Sequence, residues 1–147
     1  LPGCRLILAG DGPCRPGLER LASELGVADS VLFAGHVEDV ASVYCALDAF
    51  VFPSLAEPLG SSLLAAMAYG LPPVGVARGA VPEIIQDGRN GLLASAPAPE
   101  EIAALAVRLL RDHDLAARLG AEARATIQQR FSADRMVEDT LRVYSQL

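Results

Sequence analysis

One acidic side chain stands where it would meet the start of a helix. Glu57 follows the apolar run Ala49-Phe-Val-Phe52 and the stop Pro53-Ser54, and lies just ahead of Gly60. A helix opening at Gly60 places the amides of Gly60, Ser61 and Ser62 at its positive end, a setting suited to an anionic phosphate. The bland alternative is an ordinary serine-capped start. Gly60 carries no Cβ, so a ligand can come close to that backbone. A carboxylate at position 57 would then stand beside it as an acceptor for sugar hydroxyls. No second carboxylate lies near Glu57 in sequence, so the paired-acid scheme of ordinary glycoside hydrolysis is not expected. Gly79, after a later apolar run, is a second place where backbone can approach a ligand. Its neighbour Arg78 is a candidate phosphate cation, weighed against a solvated surface arginine. Glu83 reads first as a favourable charge in the opening turn of a short helix.

These residues need a scaffold, and the rest of the chain supplies one. Short apolar runs alternate with helical stretches. Arg5 to Ala9 reads as a buried strand ended by the turn Gly10-Asp-Gly-Pro13, which is a structural turn first and a ligand contact second. Leu18, Leu21, Ala22 and Leu25 recur at helical spacing, with Gly26 as a C-cap. Val31 to Ala34 is a second strand, closed by Gly35, and Asp39 caps a helix running through Ala46. Ala49 to Phe52 is the third strand, Ser61 to Tyr69 a helix, and Val74 to Val76 the fourth strand. Pro82 opens a short helix through Ile85, and Gly91 to Leu93 is the fifth strand. The remainder is helical. Ile102, Leu105, Ala106 and Leu109 form one stripe, and Leu115, Leu119 and Ala123 another. His113 is read as a favourable partner for a helix C-terminus. A last helix, capped by Ser132 or Asp134, is expected to turn Met136, Val137, Leu141 and Tyr144 inward. Apolar strands separated by helices predict an α/β class: a Rossmann-like, doubly wound parallel sheet with helices on both faces and a C-terminal helical segment. In such sheets ligands bind beyond the carboxyl ends of the strands. The loops at Gly10–Pro13, Gly35–Val37, Pro53–Gly60 and Ala77–Val81 occupy those ends.

At this point the sequence resembles family 4 of the glycosyltransferases, the retaining, group 1 enzymes of GT-B fold. That family's donor motif is a Glu, a Gly three residues on, a second Glu eight residues after the first, and then Ala-Met-Ala-x-Gly. Glu57, Gly60 and Ala66-Met-Ala-Tyr-Gly70 match it, whereas position 65 is Ala. The resemblance continues through Gly10-Asp-Gly-Pro13, Val31-Leu-Phe-Ala-Gly35, Asp48 to Ser54, Gly79-Ala-Val-Pro-Glu83 and Asp87-Gly-x-x-Gly91-Leu-Leu93. It implies that residues 1–147 are one donor-binding Rossmann-like domain, lacking the first strand–helix unit and the N-terminal acceptor domain. It further implies that Glu57 contacts the transferred sugar and that amides at Gly60, Ser61 and Ser62 hold the donor. Gly79 and Gly10 would lie along that site, and Gly35 and His36 beside the nucleotide base. The donor would be a nucleotide-diphosphate sugar and the acceptor a glycan, a lipid or a small molecule, met through the other domain. No metal and no other cofactor are implied. The family's second Glu binds the ribose hydroxyls, and Ala65 cannot; a lost charged acceptor costs about 1.5–3 kcal/mol, roughly ten- to a hundredfold in affinity. That departure motivates the alternative of a non-catalytic, GT-B-like domain with an interaction or regulatory role. A nucleotide-sugar epimerase or a phosphorylase fits the order of motifs less well. The excerpt alone is expected to be inactive.

Composition is consistent with this and removes other classes. The 147 residues are 52% hydrophobic and 20% charged, enough for a core of about one domain. Net charge is −6, there is no Lys, and Arg residues do not run together, so nucleic acid is not an expected partner. No uninterrupted apolar stretch is long enough for a membrane span. Leu-Pro-Gly-Cys-Arg at the start has neither the basic opening nor the apolar run of a signal peptide. The three cysteines, Cys4, Cys14 and Cys45, match no zinc spacing, and free thiols suit a cytoplasmic protein. Any peripheral contact with the inner membrane face would be made by the other half.

Overall fold

The computed structural model describes residues 1–146. The chain divides into two compact units, Leu1–Cys45 and the part from Ala46 onward.

The first unit holds β1 (Leu6–Ala9), α1 (Arg15–Glu24), a 3-10 turn at Ala28–Ser30, β2 (Val31–Gly35) and α2 (Val40–Cys45). β1 and β2 pair in parallel, Leu6 opposite Val31, and the register shifts between Leu8 and Ala9. Asp39 caps α2 as expected, accepting from the Ser42 amide at 3.2 Å. The strand expected at Arg5 to Ala9 forms as β1, but it is not buried: Leu6 and Ala9 are exposed, as is Leu32 of β2. Leu18, Leu21 and Leu25 of the α1 stripe are exposed too, and only Ala22 of that stripe is buried. The reason is geometric, since a ladder of two strands has too little area to cover its own faces.

The second unit carries β3 (Phe50–Phe52), α3 (Ser61–Ala68), β4 (Pro73–Val76), α4 (Val81–Ile84), β5 (Leu92–Ala94), α5 (Pro99–Arg111), α6 (His113–Arg130) and α7 (Ala133–Tyr144). Its three strands pair in parallel in the order β3-β4-β5, with β4 in the centre. Every residue of β4 is buried, as an apolar central parallel strand requires. Consecutive residues of that strand face opposite ways. Val74 packs with Leu92, Leu109, Leu115 and Leu119. A Cβ at Gly75 would instead strike Val81 and Ile85, which belong with Phe52, Leu63, Met67, Ile84 and Ala123. Helices therefore cover both faces of this sheet, the predicted α/β layering. The stripes predicted on α5 and α6 are those that pack: Leu109, Leu115, Leu119 and Ala123 are buried, and Ile102, Leu105 and Ala106 lie against the cluster that holds the three leucines. α6 approaches the turn after α3 so closely that a Cβ at Gly120 would drive into the Gly70 carbonyl. Asn90, 1% exposed, ties this region together. Its side-chain amide donates to the Ile84 carbonyl at 3.0 Å and to the Thr126 hydroxyl at 3.1 Å, while its oxygen accepts from the Gln86 amide at 2.7 Å.

Two expectations fail in this unit. His113 opens α6 instead of closing α5, and so sits at the positive end of its helix. Asp112 caps that helix by accepting from the Leu115 amide at 2.9 Å. α7 begins where predicted, with Ser132 accepting from the Arg135 amide at 3.2 Å. Yet it buries no residue, and Met136, Val137, Leu141 and Tyr144 are 50–68% exposed. Periodicity marks an apolar face, but says nothing of whether a neighbour covers it.

Candidate functional site

In the second unit, the end of β3 and the start of α3 are joined by the loop that carries Glu57. Gly60 is the N-cap of α3, with φ 74° and ψ 48°, a left-handed conformation that side chains with a Cβ rarely adopt. No side chain at the N-cap position itself supplies the cap; Glu57 does so from three residues upstream. Its Oε1 accepts from the Gly60 amide at 2.9 Å and, at a longer 3.4 Å, from the Leu59 amide. Glu57 is half-buried as a residue, while Ser61 and Ser62 in the first turn are exposed. The negative charge thus rests on the positive end of the helix, where it is favoured. Behind it the helix is fixed by Leu63, Ala66 and Met67, all fully buried.

The backbone of Glu57 is held from a second direction. Its carbonyl accepts from the Ala80 amide at 3.1 Å. Gly79, with φ +55°, lies so near that a Cβ built there would be 2.9 Å from the Glu57 carbonyl oxygen and 3.2 Å from its amide nitrogen. The loop after β4 therefore seats against the loop after β3. Arg78 and Gly79 are both exposed. Glu83, exposed in the first turn of α4, donates its amide to the Ala80 carbonyl at 3.0 Å, and its own carbonyl accepts from Arg130 at 3.2 Å.

In the first unit, the loops after β1 and β2 meet. The Gly10 amide donates to the Gly35 carbonyl at 2.7 Å. Arg15 covers this junction: it donates to the Phe33 carbonyl at 3.3 Å, pairs with Glu19 at 2.8 Å and Asp11 at 3.4 Å, and lies over the Phe33 ring. A Cβ at Gly35 would stand 3.1 Å from its guanidinium. His36 is exposed immediately after Gly35.

The structure thus brings Glu57, Gly60 and Gly79 together in one unit, and Gly10 and Gly35 together in the other. Two contributors escaped the sequence reading. Arg15 had a signal, acidic residues four positions away on either side, Asp11 and Glu19. Ala80 had none, because it acts through a backbone amide that every residue but proline owns.

The family model described as Glycosyl transferases group 1 matches residues 2–112. The chain is 34% identical over 140 residues to N-acetyl-alpha-D-glucosaminyl L-malate synthase of Bacillus anthracis, covering 95% of this chain and 37% of that protein. It is 34% identical over 143 residues to the lipopolysaccharide core biosynthesis glycosyltransferase LpsE of Rhizobium meliloti, covering 97% of this chain and 42% of that one. Among solved structures, the Anabaena protein HepE in complex with UDP-glucose superposes with a TM-score of 0.92 at 27% identity, over 100% of this chain and 42% of the other. The chain spans about two fifths of the length of these relatives. Parallel strands flanked by helices are what these relationships account for: the chain belongs to the group 1 glycosyl transferases, and its fold is that of part of a GT-B glycosyltransferase.

Proposed function

We propose that this chain is the donor-binding part of a retaining glycosyltransferase, which moves a sugar from a nucleotide-diphosphate sugar to a glycan, lipid or small-molecule acceptor. The observation that carries the reading is the Glu57 carboxylate held at the first turn of α3 by the Gly60 amide. Membership of the family and the UDP-glucose complex of HepE support the choice of donor class. In this reading Glu57 accepts from hydroxyls of the transferred sugar, while the positive end of α3 at Gly60, Ser61 and Ser62 faces the donor. The departing diphosphate is stabilised by fixed dipoles and cationic side chains, with no metal required. Gly10, Gly35 and His36 serve the nucleotide end. The acceptor is met through the remainder of the protein.

Glu57→Gln tests this in the full-length protein. The amide keeps an oxygen for the Gly60 N–H but removes the charge offered to the sugar. With uridine, guanosine or adenosine diphosphate sugars as donors, kcat is expected to fall by about a hundredfold while the fold is retained. Unchanged turnover would remove Glu57 from the reaction. Ala65 favours a second reading, a non-catalytic domain of the same fold. Calorimetry separates the two: no heat with any of the three donors, before or after Ala65→Glu, would favour that second role.

A further inference from the structure

The sequence marks Gly79 as a point where backbone can come close to the donor. Within the protein, its close neighbour is Glu57. The atoms nearest to a Cβ at position 79 are the carbonyl oxygen, the amide nitrogen and the carbonyl carbon of Glu57, at 2.9, 3.2 and 3.7 Å. The next residue, Ala80, donates its amide to that same carbonyl at 3.1 Å. Glu57 is thereby held at two points. Its side chain is tied to Gly60, within its own loop, and its backbone rests on the loop after β4. The first tie fixes which way the carboxylate points. The second fixes where the whole residue stands relative to the sheet.

We propose that Gly79 is a positioning residue: it places the Glu57 carboxylate by letting its own backbone seat against that of Glu57, and it does not itself touch the donor. This rests on the donor reading of Glu57 given above. Any side chain at 79 must push Glu57 away, because real Cβ atoms do not come within 3.0 Å of backbone oxygen in this way. The displacement would pass directly to the carboxylate, since the Glu57–Gly60 tie moves with the loop. A misplacement of about 1 Å in a positioning group costs on the order of a hundredfold in rate.

The test compares Gly79→Ala with Gly88→Ala in the full-length protein. Gly88 also has a positive φ, +72°, but nothing lies within 4 Å of a Cβ there. It therefore carries the conformational cost of Ala without the push on Glu57. Three readouts follow. Gly79→Ala should lower kcat by about ten- to a hundredfold with donor KM changed less than about threefold. The same substitution in a Glu57→Ala background should cost less than about twofold, because a residue acting through Glu57 has nothing left to place. In the ligand-free protein labelled with 15N-glycine, the Gly60 amide resonance should move from its wild-type position towards that of Glu57→Ala. Gly88→Ala should do none of these. A raised donor KM with intact kcat and an unmoved Gly60 resonance would overturn the proposal and make Gly79 a donor contact. Should Gly79→Ala fail to fold, Gly79→Asn, whose side chain tolerates positive φ, carries the same test. Failure of both to fold while Gly88→Ala folds would also overturn it, leaving Gly79 a folding residue. If Glu57→Ala leaves transfer unchanged, the donor reading falls, and the Gly60 resonance alone decides whether Gly79 positions Glu57.

Discussion

Several carboxylates in this chain do similar physical work at very different sites. Glu57 accepts from the Gly60 amide, Asp112 from the Leu115 amide, and Glu101 from the Ser95 and Ala96 amides at 2.8 and 3.2 Å. A negative oxygen on a backbone N–H is a strong bond whatever its purpose, so the contact alone does not mark a functional residue. What separates Glu57 from Asp112 and Glu101 is a backbone anchor on a different loop, at Gly79 and Ala80 after β4. Glu101 shows the purely local case. The Ser95 amide, then the Ala96 amide, hold its carboxyl below its ordinary pKa. A lowered folded-state value means that its contribution is complete above the ordinary glutamate range and is lost as pH falls through the folded-state value. The Ser95 and Ala96 amide proton resonances should therefore stay constant on descending through the ordinary range and shift only below it. A shift centred on the ordinary value would show that these bonds do not bias the carboxyl.

Helices and strands differed in how much of them could be read beforehand. α5 and α6 were legible with their buried faces, because a stripe of Leu and Ala at helical spacing has only one economical way to pack against a sheet. The central strand β4 was equally legible, being apolar throughout. The ends moved by a residue or two: Pro82 stands second in α4, not first, and β5 runs Leu92–Ala94. Exposure of α7 and of β1 was not legible, since an apolar pattern records suitability for burial and the presence of a partner is a tertiary fact. The candidate site split along the same line. Glu57 and Gly60 stand close in sequence and were found together, whereas the Gly79 contact required the return of the chain along β4. Close approach of α6 to the Gly70 turn was hidden for a similar reason. Gly120→Ala inserts a methyl group where the Gly70 carbonyl already sits, and should destabilise the protein by about 1–3 kcal/mol. A urea unfolding midpoint equal to that of the wild type would show that the helix can slide away at no cost.

On the scale of the chain, burial is uneven. Among the described residues, Ala22 is the one buried hydrophobic side chain of Leu1–Cys45, and the rest lie from Ala46 onward. Opening free energies follow buried apolar contact, so hydrogen exchange should be slowest in β4, α3 and the middle of α6 and markedly faster in β1 and β2. Equal protection in the two units would contradict this distribution. No described helix is long and apolar enough to cross a membrane. The two-point hold on Glu57 also implies an order of events during folding. Its carboxylate bond to Gly60 closes a loop of a few residues and can form as soon as α3 nucleates, on the timescale of local helix formation. Its backbone contact with Gly79 and Ala80 must wait until the chain has run the length of α3 and come back along β4, a closure with greater entropic cost. The loop is thus capped first and located only afterwards, so the side chain on which the proposed chemistry turns gains its direction before its address.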